Sequence, residues 1–142
     1  MYVSSKGNYG LRAVLDLALH YGEGVVQSAE IASRQDIPES YLVQLLNPLR
    51  NAGLVRSVRG RKGGHELIRR PEEITVGAVL EVLEGPVQLA AEDKEVADGA
   101  PDVLRDVYEE MEAAVEEVLG TVTFGDLCRK YRMESGRIVF RI

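Results

Sequence analysis

Residues 59–64 read Arg-Gly-Arg-Lys-Gly-Gly, with runs of β-formers on either side, Leu54 to Val58 before and His65 to Ile68 after. Three glycines supply the backbone freedom for a tight reversal, so the stretch is expected to be a two-stranded hairpin with a cationic tip. What precedes it narrows the fold further. A short helix is expected from about Ala29 to Gln35, capped by Ser28. Asp36-Ile37-Pro38 forms a turn, and Pro38 suits the first position of a new helix, which runs from about Glu39 to Asn51 and is stopped by Gly53. Short helix, tight turn and longer helix make a helix-turn-helix pattern. A hairpin directly after the second helix is the wing of a winged helix. The expected fold class is therefore mainly α with a small β-hairpin wing, a winged helix-turn-helix joined to a long dimerisation helix.

The remaining elements follow from caps and periodicity. A first helix from about Ser5 to Tyr21 is apolar over more than one face and should be largely buried, with Gly22 and Gly24 ending it. Val25 and Val26 suit a short strand. Thr75 caps a helix from about Val76 to Glu84. Gly85 to Gly99 is irregular and acidic and reads as a linker. Pro101 opens a long helix to about Leu119, closed by Gly120. On it Leu104, Val107, Met111, Ala114 and Val118 step by three and four residues, a coiled-coil-like seam that suits a dimer interface. Thr123 and Asp126 resemble a capping box that starts a short helix to about Tyr131, and Ile138-Val139-Phe140 suits a final strand. The domain division expected is 1–84 for the winged helix-turn-helix, 85–100 for a linker or sensor loop, and 101–142 for the dimerisation helix and a C-terminal short helix.

Charge separates along the chain. The net charge of −6 hides a balance of +4 over residues 1–71 (10 basic, 6 acidic) and −10 over residues 72–142 (7 basic, 17 acidic). Between Arg50 and Arg70 seven basic side chains face one acidic residue, Glu66. A local basic stripe decides phosphate binding more than the overall sum does. A lone cysteine, Cys128, and two histidines, His20 and His65, give no metal-ligand spacing and no cofactor site. Neither histidine stands with a serine or cysteine in a nucleophile motif, so no enzyme chemistry is indicated. Nor do Gly60, Gly63 and Gly64 form a nucleotide-phosphate loop, because no helix follows them. No apolar run is long enough for a membrane span, and Tyr2 to Tyr21 mixes Lys6, Arg12 and Asp16 into its apolar residues, unlike a secretory signal. The expectation is a soluble cytoplasmic protein.

On the helix from Glu39 to Asn51, Leu42, Leu45, Leu46 and Leu49 recur as one buried stripe, which turns Ser40, Gln44, Asn47 and Asn51 outward. Gln and Asn pair with adenine in the major groove and Ser with several bases, and the first turns of a recognition helix reach deepest. Ser40, Gln44 and Val43, which can touch a thymine methyl, are the base-reading candidates. Pro48 removes the helix hydrogen bond to the Gln44 carbonyl, at a cost of about 3 kcal/mol in an unadapted helix interior, and should bend the helix. Arg59 at the hairpin tip can enter a narrow minor groove. Arg61, Lys62, Arg56, Arg50 and Lys6 are candidates for phosphates, together with Tyr41 and Gly60. His65, opening the second strand, reads as a surface or phosphate-side residue, and Cys128 as a small core residue.

Ser5-Lys6-Gly7-Asn8-Tyr9, Ser40-Tyr41-Leu42 within Ile37 to Leu46, Ala52-Gly53-Leu54-Val55, and Val58-Arg59-Gly60-Arg61-Lys62-Gly63-Gly64 together resemble the Rrf2 family of bacterial winged-helix transcription regulators. The resemblance covers nearly the whole chain. It implies a homodimer on a partly palindromic operator, the second helix of the pair in the major groove, Arg59 in the minor groove, and a long helix crossing between protomers. Ser40, Gln44 and Arg59 match DNA-contacting positions of that family, Val43 stands where some members carry a base-reading Glu, and His65 replaces a common Tyr. Many members hold an iron–sulfur cluster through three cysteines after the fourth helix; Pro86 to Ala100 contains no Cys and no His. The reading is thus a cluster-free DNA-binding transcription regulator, a repressor acting as a homodimer on double-stranded DNA, with room for a small-molecule effector or a partner enzyme. The alternative is a protein-interaction module that docks on a metabolic enzyme through its acidic second half, Glu92 to Asp98 in particular, with DNA binding secondary.

Overall fold

The computed structural model describes residues 3–89 and 99–140. The described residues form α1 (Ser5–Leu19), α2 (Ser28–Gln35), α3 (Glu39–Asn51), β1 (Val55–Val58), β2 (Gly64–Leu67), α4 (Val76–Glu84), α5 (Val103–Thr121) and α6 (Phe124–Phe140), with a 3-10 turn at Pro71–Glu73. Glu92 to Asp98, the acidic contact of the alternative reading, lies outside the described residues. None of the described helices is long and apolar enough to cross a membrane.

The helix-turn-helix forms at the expected positions. α3 runs unbroken through Pro48, and Leu42, Leu45, Leu46 and Leu49 are all buried on one stripe. They meet Val14 and Leu17 of α1, Ile31 of α2, Val55 and Leu67 of the hairpin, and Val79 and Leu83 of α4 in a single core. α1 and α4 pack with their backbones close together. A Cβ on Gly10 would lie 2.0 Å from Leu83 Cδ1, and one on Gly7 would lie 2.6 Å from Glu84 Oε1. The missing Cβ of Gly7 lets the Glu84 carboxylate reach the N-terminus of α1, where it accepts the Ser4 N–H at 2.9 Å and the Ser4 hydroxyl. An anion is favoured at that end of a helix.

One polar cluster crosses the core boundary. Asp16, in the last turn of α1, is buried. Its carboxylate accepts Arg34 Nε and Nη2, each at 2.9 Å, and Gln35 Nε2 at 3.2 Å. The His20 ring bonds the Asp16 carbonyl at 2.8 Å. Sharing hydrogen bonds with Asp16 raises the pKa of the Arg34 guanidinium above its ordinary value, with Glu30 adding to the attraction. This two-pronged contact holds α2 against α1.

Four expectations need correction. Gly120 does not close α5, which runs through it to Thr121 with Val122 at its C-cap. Ser28 is the first residue of α2, not its cap; Gln27 stands at the cap position without a side-chain bond, because the Ser28 hydroxyl is engaged elsewhere. The strand at Val25-Val26 is reduced to one antiparallel bridge between Val26 and His65. Finally, Ile138-Val139-Phe140 is no strand, and the C-terminal helix is not short. The capping box forms as expected, with Asp126 N–H donating to Thr123 Oγ1 at 3.1 Å and Thr123 N–H to Asp126 Oδ2 at 2.9 Å, but α6 continues for 17 residues. Once a helix is nucleated, each further residue adds a hydrogen bond at low cost, and β-branched residues are tolerated. The first turns of α6 also belong to the head: Phe124 and Cys128 are buried in the same core as α1 and α3.

Asp16 is almost fully enclosed, whereas Arg34 is partly solvated. Replacing Arg34 by Met leaves a buried carboxylate with only Gln35 and His20 beside it. Urea unfolding is expected to show a loss of about 2 kcal/mol, less than for a wholly buried ion pair because solvent screens the exposed partner.

Candidate nucleic-acid interface

The buried leucine stripe of α3 turns its other side to solvent. Ser40, Val43, Gln44, Asn47 and Asn51 are exposed there, and Val43 keeps 47% of its surface. Tyr41 is half-buried, its ring edge-on to Tyr9 with centroids 5.6 Å apart, and Arg12 lies over the Tyr9 face at 5.8 Å. Lys6 is exposed on the first turn of α1.

The hairpin pairs Val55 with Leu67, Arg56 with Glu66, Ser57 with His65 and Val58 with Gly64. Its turn is closed by Gly63 N–H donating to the Gly60 carbonyl at 3.0 Å, with Gly60 at φ 109°, a conformation open to glycine. Arg59, Arg61 and Lys62 project from the tip, exposed. None of them is ion-paired to a described residue. Arg56 is not free in the same way, since its guanidinium is paired with Glu66 on the facing strand. An exposed pair of this kind is worth little and yields readily to a phosphate. Arg50, at the end of α3, donates from Nη1 to Ser57 Oγ at 3.0 Å and from Nη2 to Asn47 Oδ1. It thereby ties the helix to the wing. The structure brings the polar face of α3 and the cationic hairpin together through the shared core of α3 leucines with Val55 and Leu67 and through this polar tie.

His65 is not a surface residue; it is half-buried and doubly bonded. Its Nδ1 lies 2.6 Å from Ser57 Oγ and its Nε2 2.7 Å from Ser28 Oγ. Its backbone exchanges both bonds with Val26, at 2.8 and 2.7 Å. Desolvation, and then the charge of Arg50, push its pKa below the ordinary histidine value. Gln27 adds a further tie, donating from Nε2 to the Arg61 carbonyl at 3.1 Å. Sequence reasoning missed Gln27, Ser28, Ser57 and His65 as members of the site. Only the alternation of the hairpin, which sets Ser57 across from His65, carried a hint of it.

Seam residues Leu104, Val107, Met111, Ala114 and Val118 lie along one exposed side of α5. Leu104 keeps 60% and Val118 58% of their surface, and α5 buries no residue fully. Its other side meets the head: Val115 and Leu119 are half-buried, and Gly77 of α4 lies against Leu119 so closely that a Cβ there would be 2.7 Å from the Leu119 carbonyl oxygen.

A family model described as "Iron-dependent Transcriptional regulator", Rrf2, matches residues 3–130. The chain is 42% identical over 142 residues to the HTH-type transcriptional regulator CymR of Bacillus subtilis, covering 100% of both chains. It is 40% identical over 129 residues to the HTH-type transcriptional regulator IscR of Aliivibrio salmonicida, covering 89% of this chain and 77% of that one. Among solved structures it is similar to CymR of B. subtilis, titled the global cysteine regulator, with TM-score 0.81 at 40% identity over 92% of this chain and 98% of that one. It is also similar to T. potens IscR, with TM-score 0.78 at 42% identity over 92% and 88%.

The donor set does not fit the iron chemistry that the family description implies. The sequence has one cysteine, and Cys128 is buried on α6, where desolvation raises its thiol pKa. Among the described residues no three His, Cys, Asp or Glu side chains gather as a metal site.

The wing is seated by close backbone contact at Gly64, where a Cβ would lie 2.5 Å from the Val26 carbonyl oxygen. Gly64→Ala must push the hairpin off that strand segment. A stability loss of about 1–3 kcal/mol is expected, with faster hydrogen exchange at the Val26 and His65 amides.

Proposed function

The chain belongs to the Rrf2 family of DNA-binding transcription regulators, and from that premise we propose that it acts as a homodimeric repressor on a partly palindromic operator, without an iron–sulfur cluster. The observation that carries the reading is the exposed polar face of α3 joined to an arginine-tipped wing by the Arg50–Ser57 bond. α3 enters the major groove, where Gln44 reads adenine, Ser40 bonds a base edge and Val43 meets a thymine methyl. Arg59 enters the adjacent minor groove. Lys6, Arg50, Arg56, Arg61 and Lys62 hold phosphates, aided by the Gly60 amide and the Tyr41 hydroxyl. None of these side chains transfers a group or a proton, so the protein binds without catalysis, and it does so in the cytoplasm where its operator lies.

Two copies join through Leu104, Val107, Met111, Ala114 and Val118, the apolar side of α5 that a single chain leaves in water. Pairing these faces sets two heads at the spacing of two half-sites. Residues 1–84, joined by the first turns of α6, then serve as the reading head, and the rest of 101–142 as the arm that carries dimerisation, with 85–100 between them. One cysteine cannot ligate a cluster, so any signal reaches this regulator as a small molecule, a partner protein such as an enzyme, or chemistry at Cys128. Full-length similarity to CymR, titled the global cysteine regulator of B. subtilis, supports genes of cysteine supply as its targets.

Selection from random duplex DNA is expected to return a palindrome whose binding weakens steeply with salt. Arg59→Ala should lower affinity for that duplex about tenfold or more, and Gln44→Ala should relax base preference at one position per half-site. Unchanged affinity in the Arg59 variant defeats the wing assignment.

Met111→Glu places two like charges in the centre of the seam. Sedimentation should show the wild type as a dimer and the variant as a monomer whose far-ultraviolet circular dichroism is unchanged. A wild-type monomer at micromolar concentration defeats the dimer assignment.

A further inference from the structure

We propose that His65 is the positioning residue that fixes the wing against the recognition helix, and that it does so only as a neutral imidazole. The inference rests on the DNA-binding reading of α3 and the wing. Four side chains form one continuous relay: Ser28 at the start of α2, His65 on β2, Ser57 on β1 and Arg50 at the end of α3. It spans the three elements whose relative pose decides whether helix and hairpin meet a duplex together. Both ring nitrogens are used, and the His65 backbone is bonded in both directions to Val26.

The protonation state follows from the donors. Arg50 has no acceptor and already donates to Ser57 Oγ. The Ser57 hydroxyl hydrogen is therefore free to go to Nδ1, while Nε2–H donates to Ser28. Every bond then runs one way from Arg50 to Ser28, an arrangement that neutral histidine alone completes. A protonated ring donates from both nitrogens. Ser57 Oγ then receives from two cations at once, the imidazolium and the guanidinium, which repel across a single oxygen in a half-buried place.

Among the described residues, no carboxylate acts on the ring to offset this. The charge felt at His65 is that of Arg50 on α3. On the hairpin, Arg56 is paired with Glu66. On α2, Glu30 and Arg34 interact with each other, and Arg34 and His20 converge on Asp16 of α1. Arg12 of α1 lies over Tyr9. Acidification therefore releases Arg50 from Ser57 and unpins the wing, and DNA binding must restore the pose before Arg59 can engage. The direction is opposite to that of a cation merely added near phosphates, which strengthens binding as pH falls.

The test uses the full chain and a duplex selected from a random pool by the wild type. At constant ionic strength, wild-type affinity is expected to fall severalfold between pH 7.5 and pH 5.5, the fall lying below the ordinary histidine value of about 6.5 because the folded chain holds His65 lower. His65→Asn, whose amide can occupy the place of Nδ1 and keep the Ser57 bond without titrating, should abolish that fall; His65→Phe should bind weakly at both pH values. Wild-type affinity that is flat or rises on acidification overturns the proposal. So does an Asn variant with the same pH profile as the wild type. A second readout needs no DNA: hydrogen exchange at the paired Val26 and His65 amides, corrected for intrinsic rates, should speed about tenfold from pH 7.5 to pH 5.5 in the wild type and not in His65→Asn. If no duplex binds at either pH, the DNA reading fails while this exchange measurement still decides the role of His65, and unchanged protection rejects it.

Discussion

The buried carboxylate of Asp16 is the constraint on which the reading head depends. A charge so enclosed is tolerated only when each oxygen is matched by fixed donors. Arg34 meets both oxygens, and Gln35 adds a third bond. These donors occupy the last turn of α2, whose other end carries Ser28 and Gln27, the residues that hold the wing. An apolar contact would let α2 slide or rotate over α1, because hydrophobic packing is non-directional. The forked guanidinium does not allow this. From a fixed α2 the chain turns through Asp36, the one described non-glycine residue with positive φ, and sets α3 at its angle. Orientation thus passes from one half-buried ion pair to the helix proposed to enter DNA.

Much of this fold is legible in the amino-acid sequence, and the reasons are local. The bounds of α3 and α4 follow from a four-leucine stripe and from the Thr75 cap, which accepts the Ala78 N–H at 3.0 Å. The hairpin follows from β-formers around three glycines. In each case the signal lies within one turn or one strand pair. What the sequence hides depends on pairings distant along the chain. Ser28 looks like a cap because Ser is a good cap, yet its hydroxyl is taken by a histidine 37 positions on. His65 looks like a surface residue until Val26 is known to pair with it. Ile138-Val139-Phe140 carries the β-branched mark of a strand, but these residues continue the hydrogen-bonded turns of α6 instead. The exposed candidates on α3 and at the wing tip are readable from polarity and charge alone. The relay that orients them is not, because it exists only once three separate elements have met.

Charge distribution gives the same division of labour. The acidic excess falls after residue 71 and the basic excess before it. On α5 the carboxylates line the sides away from the apolar seam, and Glu112 accepts the Leu89 N–H at 2.9 Å to hold the start of the intervening segment. An acidic arm beside a basic head orients the molecule in the field of a polyanion, so that the wing and α3 approach first. The overall sign is thus a poor guide to the partner, while the sign of each half is a good one.

The placement of α6 has a further consequence for how such a head would be carried. Val76 N–H bonds the Val122 carbonyl and Phe124 N–H bonds the Ile74 carbonyl, each at 2.9 Å, while Thr75 and Thr123 form a bridge. The turn between α5 and α6 is therefore bonded as an extra strand segment onto the start of α4, and Phe124 is sunk without exposure into the core shared with α1 and α3. An arm attached by a flexible joint would let each head choose its own distance from the other. This one leaves the head through a turn fixed at both of its ends. In the proposed dimer, separation and tilt of the two recognition helices are then set by α5 rather than by the DNA, which is the geometric requirement for reading two half-sites at one spacing. The same rigidity explains why a wing that pivots would matter. With the arm and α3 both fixed, the hairpin is seated by Val55 and Leu67 in the core, while its polar ties to α2 and α3 run largely through His65.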